Sequence, residues 1–502
     1  MIENAHGTTS PDSSAPSASP AAASPDGSGS AGDSLPRRLS VWSLTAVLVG
    51  STIGSGIFRV PSVAAAEGGT LGAVALLWIA GALLTLFGAL TVAELAALFP
   101  RAGGIYVFLR EAFGPLPAFL FGWTRLLVIQ PSLLGGIALI FAAYAGTFLP
   151  LGEVQARLVA IGAIVVVGAA NYRSVLLGAA IQNISTVAKV VTLVGLALMV
   201  FALGDPAGGA FGAGLAGGGA AGGAGLGAGP EGGAGAAGPG GILALTPGGW
   251  AALGVALIAV LWTYDGWADA TYVAGEVRDP ERSLPRALIG GFAVVVAVYL
   301  LLNAAYLYVL PLEVMAASEL VASNAATAVL GLPGAAVVSA LVLLSTFGAL
   351  NGTMMSGPRV FFALGQDGLF FRRIGAVHPR GRTPHVAIFL ATCLGVAFVS
   401  VRSFEELANA FILGLWPFFM LAVLAVFRLR RTHPHLKRPY RTWGYPAVPL
   451  IFLLASGAML LNALVAQPLT ALYSFGVIVS GLPVYLVWRR WKMRHGSAGD
   501  AI

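Results

Sequence analysis

The sequence is poor in cysteine, in charge and in lysine, and each shortage excludes something. One cysteine, Cys393, permits no intramolecular disulfide and no cysteine-built metal site. Charged residues make up 10% of the chain, against about 25% in a typical soluble domain. The six histidines stand in the tails or in and beside polar loops: His6, His378, His385, His433, His435 and His495. None sits centrally in an apolar run with a Ser or Asp partner, and no metal-ligand spacing occurs, so a membrane-embedded hydrolase or acyltransferase lacks its working parts. Neither a metal nor a cofactor is called for. Three lysines stand against 25 arginines. With the abundance of Ala and Gly, that bias is the compositional mark of a GC-rich bacterial genome, and hence of a bacterial inner membrane.

What is abundant is apolar sequence. The chain is 57% hydrophobic with a mean hydropathy of +0.85. A membrane span needs about 20 mostly apolar residues. Twelve runs qualify, at about 41–66, 71–99, 116–149, 155–171, 177–203, 250–274, 287–311, 334–364, 385–401, 407–427, 446–466 and 469–488. Strand-like alternation is absent, so the expectation is an all-α integral membrane protein and not a transmembrane barrel. The pI of about 9.7 invites a nucleic-acid partner, but the placement of charge argues against one. With the N-terminus in the cytoplasm, only Arg157 and Arg402 fall in outer loops, while Arg59, Arg125, Lys189 and Arg359 lie within or beside spans. The remaining basic residues crowd the inner side, which sets both termini inside. The excess of positive charge is therefore topology, with some attraction to anionic lipid.

Residues 1–36 are Ser, Ala, Pro and Gly with scattered charge, and read as a disordered cytoplasmic tail. The body that carries the twelve spans follows over 37–490, and 491–502 form a second cytoplasmic tail. The nearly pure Gly/Ala stretch 204–249 reads as a flexible outer loop. It divides the spans into five and seven.

That division makes a comparison possible. The first span carries GSTIGSGIF, Gly50 to Phe58, with three glycines and three hydroxyl residues in seven positions up to Gly56. The sixth carries LWTYDGWADATYV, Leu261 to Val273. Glycine and small polar residues weaken a helix where lipid offers no replacement hydrogen bonds. Two interrupted helices, each the first of its group of five, point to inverted repeats, about 41–203 and 250–427, with helices 11 and 12 over 446–488, and a binding site at mid-membrane. A half-helix starting near Ser55 presents the N–H groups of Ser55, Gly56 and Ile57 to an anion. Halves ending near Thr52 and Ile53, and near Trp262 and Thr263, present carbonyls to a cation. A carboxylate and an ammonium on one carbon, as in an α-amino acid, fit both ends.

These motifs resemble the amino acid–polyamine–organocation superfamily. GSTIGSGIF is similar to its first-helix signature and LWTYDGW to its sixth-helix break. GEVRDPERSLPRAL (275–288), NYRSVLLGAAIQNISTVAK (171–189), FGALNGTMMSGPRVFFALGQDG (347–368), WTRLLVIQPS and VYLLLNAAY resemble the bacterial L-type branch. The resemblance covers about 38–490. It implies a leucine-transporter-type fold of twelve helices in a 5+5 inverted repeat, with substrate held by Ile53, Gly54, Ser55, Gly56, Ile57, Trp262, Thr263 and Asp265. It implies that Trp262 gates the site, that Lys189 stands where sodium-coupled relatives hold sodium, and that Tyr299 shapes the inward-facing state. Lys189 is then expected to reach carbonyls near Gly54 and polar groups such as Asn351 or Thr353. Asp265 is expected to brace the break through hydrogen bonds.

Two departures limit the resemblance. The outer loop 149–157 has no cysteine, so the disulfide-linked heavy subunit of animal relatives is excluded, and the chain is expected to act as a monomer or weak homo-oligomer. Ala268 replaces an asparagine found in some relatives, so their specificity is not carried over. The sequence reading is a sodium-independent exchanger of neutral L-amino acids. A proton-coupled symporter, or a cationic amino acid or polyamine permease using Asp265 or Asp269, stands as the alternative.

Overall fold

Ser40 starts the first helix by accepting a hydrogen bond from Ser43 N at 3.2 Å, the N-cap arrangement that satisfies an otherwise orphaned donor. Thr70 does the same for Ala73 N, and Ser403 with Glu406 forms a capping box. Between such polar punctuation marks the apolar runs fold as helices, because every backbone group is then satisfied within its own segment. The computed structural model describes residues 39–206, 209–210, 247–381 and 383–495. The tail 1–36, most of the Gly/Ala segment 204–249 and the end of the second tail lie outside the described residues.

In chain order the helices are α1 Val41–Thr52, α2 Gly56–Gly68, α3 Leu71–Leu98, α4 Ile105–Phe113, α5 Pro115–Thr124 and α6 Gln130–Ala145. A π-turn, Arg125–Ile129, joins α5 to α6. There follow α7 Glu153–Arg173, α8 Val175–Leu203, α9 Pro247–Tyr264, the single turn α10 Asp269–Tyr272, α11 Pro280–Val309, α12 Leu312–Ala316 and α13 Val321–Ser356. The chain ends with α14 Pro358–Gln366, α15 His385–Val401, α16 Phe404–Thr432, α17 Ala447–Ala466 and α18 Pro468–His495.

Among the described residues, nine helical segments are long and apolar enough to cross a membrane, or ten if α1 and α2, bent by 45° at their break, count as one span. The protein is an all-helical, multi-pass membrane protein with a broken first helix. Two shorter apolar helices, Gly249–Tyr264 and His385–Val401, fall where the sixth and ninth spans are expected. α13 is longer than the run that announces it. A non-helical Gly331, followed by Pro333, divides it near the expected start of that span. Cys393 lies exposed on α15.

The breaks sit side by side. α1 and α2 pack among α9, α11 and α13, and α8 crosses both α1 and α13. Single charged groups buried in this core have partners. Glu94, near the end of α3, receives Arg430 through two bonds of 2.9 and 2.5 Å and both the N–H and hydroxyl of Thr442 at 2.8 Å. Arg438 adds a second cation at 3.4 Å. A buried carboxylate needs this much compensation for its lost water. The hub fastens α3 to the end of α16 and to the loop before α17.

Candidate functional site

The helix stops at Thr52 because the next residues leave helical geometry. Ile53 has ψ 81°, and Gly54 N turns back to Thr52 O at 2.7 Å instead of reaching Gly50. The chain resumes helix at Gly56. Among the described residues, the N–H groups of Ser55, Gly56 and Ile57 donate to no backbone carbonyl, and the carbonyls of Ser51 and Ile53 accept no hydrogen bond. Donors therefore face the gap from the start of α2, where the helix dipole is positive, and acceptors face it from the end of α1.

The second break follows the same logic. α9 ends at Tyr264 and α10 begins at Asp269. Gly266 between them has φ 106°, and a Cβ there would lie 2.8 Å from the backbone of Ser51 and Thr52. Only glycine satisfies both the left-handed conformation and the contact. Gly56 is equally constrained from the other side, since a Cβ would stand 2.6–2.9 Å from Thr263. These two glycines let the breaks touch.

The contact leaves a cavity with about 350 Å³ of atom-free space, part of it open. Its wall contains Gly54, Ser55, Gly56, Trp262, Thr263 and Asp265 from the residues expected on sequence grounds, with Ser51, Thr52, Gly266 and Asp269 beside them. Leu133 and Ile137 of α6 and Thr353 of α13 complete it. Nothing in the sequence marked the two apolar ones, because an apolar residue in an apolar helix carries no local signal. Ile53 and Ile57 are fully buried and are not among the residues that line the cavity.

Trp262 closes one side of this space. Its indole packs on Gly136 of α6, where a Cβ would come within 2.8 Å. Phe411 and Phe404 of α16 meet it edge-on at 4.9 and 5.8 Å. Close by, Arg59 of α2 pairs with Glu405 at 3.0 Å and with Glu319 at 3.6 Å. Beyond the second break, Leu39 forms a two-bond bridge with the chain at Glu276 and Arg278, both bonds 2.9 Å. Arg359 of α14 pairs with Glu276 at 3.1 Å. Contacts thus join the helices on both sides of the cavity.

Tyr299 is not in the cavity wall. It stands behind it, fully buried, with its hydroxyl 2.6 Å from Thr52 O and 3.1 Å from Thr263 O. Two carbonyls expected to be free for a ligand are therefore engaged by one phenol, which ties the ends of α1 and α9 together. Lys189 of α8 also lies behind the wall. Its ammonium donates to Gly50 O at 2.7 Å, one turn before the expected Gly54. Asn351 accepts from Asn171 at 2.8 Å.

The two acids of the second break both line the cavity. Asp269 accepts from Ser356 of α13 at 2.9 Å and so braces the break. Asp265 lines the cavity and takes no hydrogen bond from another residue's side chain among the described residues. Arg125, at the start of the π-turn, donates to Tyr272 Oη at 3.1 Å and lies over that ring at 4.5 Å. π-turns inside α-helices are frequent at functional sites. Here the turn carries Arg125, which is buried, and leads into Gln130 of α6, whose amide donates to Thr353 O at 3.1 Å.

Comparison with known proteins agrees with this geometry. Residues 39–488 match the amino acid permease family. The chain is 28% identical to the serine/threonine exchanger SteT of Bacillus subtilis over 89% of its own length and 95% of that protein. It is 30% identical to the human b(0,+)-type amino acid transporter 1, covering 91% and 89%. It is 27% identical to the human cystine/glutamate transporter, covering 92% and 87%. A helix-break cavity with facing backbone donors and acceptors and a match over nearly the whole chain lead to one conclusion: the protein is an amino acid transporter, not an enzyme, and belongs to the amino acid permease family of the amino acid–polyamine–organocation superfamily.

Proposed function

We propose that the chain exchanges neutral L-amino acids across the membrane without sodium, by alternating access in a leucine-transporter-type frame of twelve helices in a 5+5 inverted repeat. The observation that carries this reading is the pair of helix ends facing one cavity: N–H groups of Ser55 and Gly56 that donate to no backbone carbonyl, and a carbonyl of Ser51 that accepts no hydrogen bond, among the described residues. The donors suit the substrate carboxylate and the acceptors its ammonium. Leu133, Ile137 and Thr353 then surround the side chain. Trp262 serves as the gate, and Tyr299 holds the two half-helices in register in the inward-facing state.

Lys189 supports independence from sodium. Its fixed ammonium satisfies a carbonyl of the broken helix, which a bound cation would otherwise have to do. The exchange reading is further supported by two of the relatives, whose names give serine/threonine exchange and cystine/glutamate transport. The distribution of arginine supports a bacterial inner membrane with both termini on its cytoplasmic side. The single cysteine is far in sequence from the loop 149–157, which supports action as a monomer or weak homo-oligomer without a disulfide-linked subunit.

The test is counterflow in proteoliposomes loaded with unlabelled L-amino acids, with one labelled amino acid outside and no sodium. Accumulation of labelled Ala, Ser, Thr or Leu is the expected result. Accumulation only with sodium or a proton gradient overturns exchange. A second reading, a proton-coupled symporter or a cationic amino acid or polyamine permease, is favoured by the Asp265 carboxylate in the cavity wall. Uptake of arginine or putrescine that is lost in Asp265→Asn would establish it over the first.

A further inference from the structure

Away from the breaks, a second cavity opens between α5, α14 and the segment after it. It holds about 220 Å³ of atom-free space, and its exposed lining is almost wholly apolar. Phe119, Trp123, Leu126, Leu364, Phe370 and Ile374 form the wall. Trp123 and Phe370 are only partly buried, so the cleft reaches the surface of the helix bundle. Water gains nothing from such a wall, since it offers no polar partner.

Its rim is the opposite in character. Arg372 and Arg373 follow Phe370 and Phe371 and are exposed, and Arg489, Arg490 and Lys492 near the end of α18 are exposed too. The two basic segments are held together. Trp488 Nε1 and Lys492 Nζ both donate to Gly368 O at 3.3 Å, and the rings of Phe371 and Trp488 meet at 4.9 Å. Asp367, the acid nearest in sequence, is committed to Arg110 and to Tyr106. Among the described residues, Arg373, Arg489 and Arg490 form no ion pair.

We propose that this cleft and its rim form a binding site for one anionic phospholipid, with an acyl chain against Trp123 and Phe370 and the phosphate at Arg373, Arg489, Arg490 and Lys492. Apolar wall and cationic rim match the two halves of such a molecule. A free phosphate would use the rim alone, and a neutral lipid the cleft alone. The site is independent of which amino acids the protein carries.

The full chain, reconstituted in phosphatidylcholine vesicles, tests this with phosphatidylglycerol brominated on its acyl chains as a quencher of tryptophan fluorescence. The expected result is a quenching component that saturates at low phosphatidylglycerol content, disappears in Trp123→Phe and is unaffected by inorganic phosphate. Joint substitution Arg373→Gln, Arg489→Gln and Arg490→Gln should raise the half-saturating content by about fivefold per charge, the scale of one basic residue at an anionic surface. Leu126→Phe, which fills the cleft and leaves the rim intact, should abolish the component. Equal quenching by brominated phosphatidylcholine, or quenching indifferent to the charge variant, would reduce the site to ordinary annular contact and overturn the proposal. Unchanged quenching in Leu126→Phe would overturn the acyl-chain seat. A melting profile like that of the parent protein establishes that each variant is folded.

Discussion

Lys189 occupies the hydrogen bond that the broken helix gives up. In an unbroken α-helix Gly50 O would accept from Gly54 N. Here Gly54 N turns to Thr52 O at 2.7 Å, and the Lys189 ammonium donates to Gly50 O at the same distance. The lysine is thus a cross-helix substitute for one rung of the ladder, and α8 is coupled to the break it repairs.

Lys189→Ala should therefore impair transport more than folding. A hydrogen bond from a charged group contributes about 1.5–3 kcal/mol, so counterflow should fall about 10- to 150-fold, with sodium failing to restore it. Retention of near-normal counterflow would remove Lys189 from the cycle.

Gly56→Ala and Gly54→Ala should differ sharply although they are two residues apart. A Cβ at position 56 meets Thr263 at 2.6–2.9 Å, while one at 54 finds its nearest neighbour, Ala349, at 3.4 Å. Overpacking of this kind costs about 1–3 kcal/mol. Gly56→Ala should lose measurable counterflow, and Gly54→Ala should keep a substantial fraction.

Tyr299→Phe keeps the ring and deletes the hydroxyl shared by Thr52 O and Thr263 O. The two buried carbonyls then lack that donor, at a cost of about 1–3 kcal/mol. Ring packing against Tyr264 at 5.3 Å persists. The expected outcome is a thermal stability within a few degrees of the parent and an apparent affinity that changes more on one side of the membrane than on the other, read from right-side-out and inside-out vesicles.

Glu94→Gln should be chiefly a stability variant. The carboxylate is 2% exposed and faces Arg430 and Arg438. Leaving buried cations without their counter-charge costs about 3–5 kcal/mol. A marked drop in melting temperature, partly relieved by Arg430→Gln, is expected. An unchanged melting temperature would show that the hub adds nothing to the fold.

The sequence announced the parts of the site that break a rule. GSTIGSGIF and TYDGW stand out because glycine and polar residues are out of place in mid-membrane, and both became breaks lining one cavity. Leu133 and Ile137 obey the rules of an apolar helix, and so they were invisible until packing brought them to the wall. Contacts were harder to foresee than positions. Lys189 was legible as a costly charge, but its acceptor depended on how far α8 slides along α1, which no local pattern encodes. Asp265 and Asp269 were legible as a pair. Both line the cavity, and only packing showed that Ser356 of α13 donates to Asp269. The span boundaries were read to within a few residues where charge or proline punctuates them, and least well at α13, where Gly331 and Pro333 break a helix that continues on both sides.

Cys393 has a practical consequence. It is the sole thiol of the chain, and it lies exposed on α15, a helix that contributes no residue to the cavity wall. One substitution, Cys393→Ser, yields a thiol-free background. Pairs of reporter cysteines can then be placed across either side of the cavity, for instance at Glu405 and Glu319, and the movement of each gate followed by distance spectroscopy in an otherwise native chain.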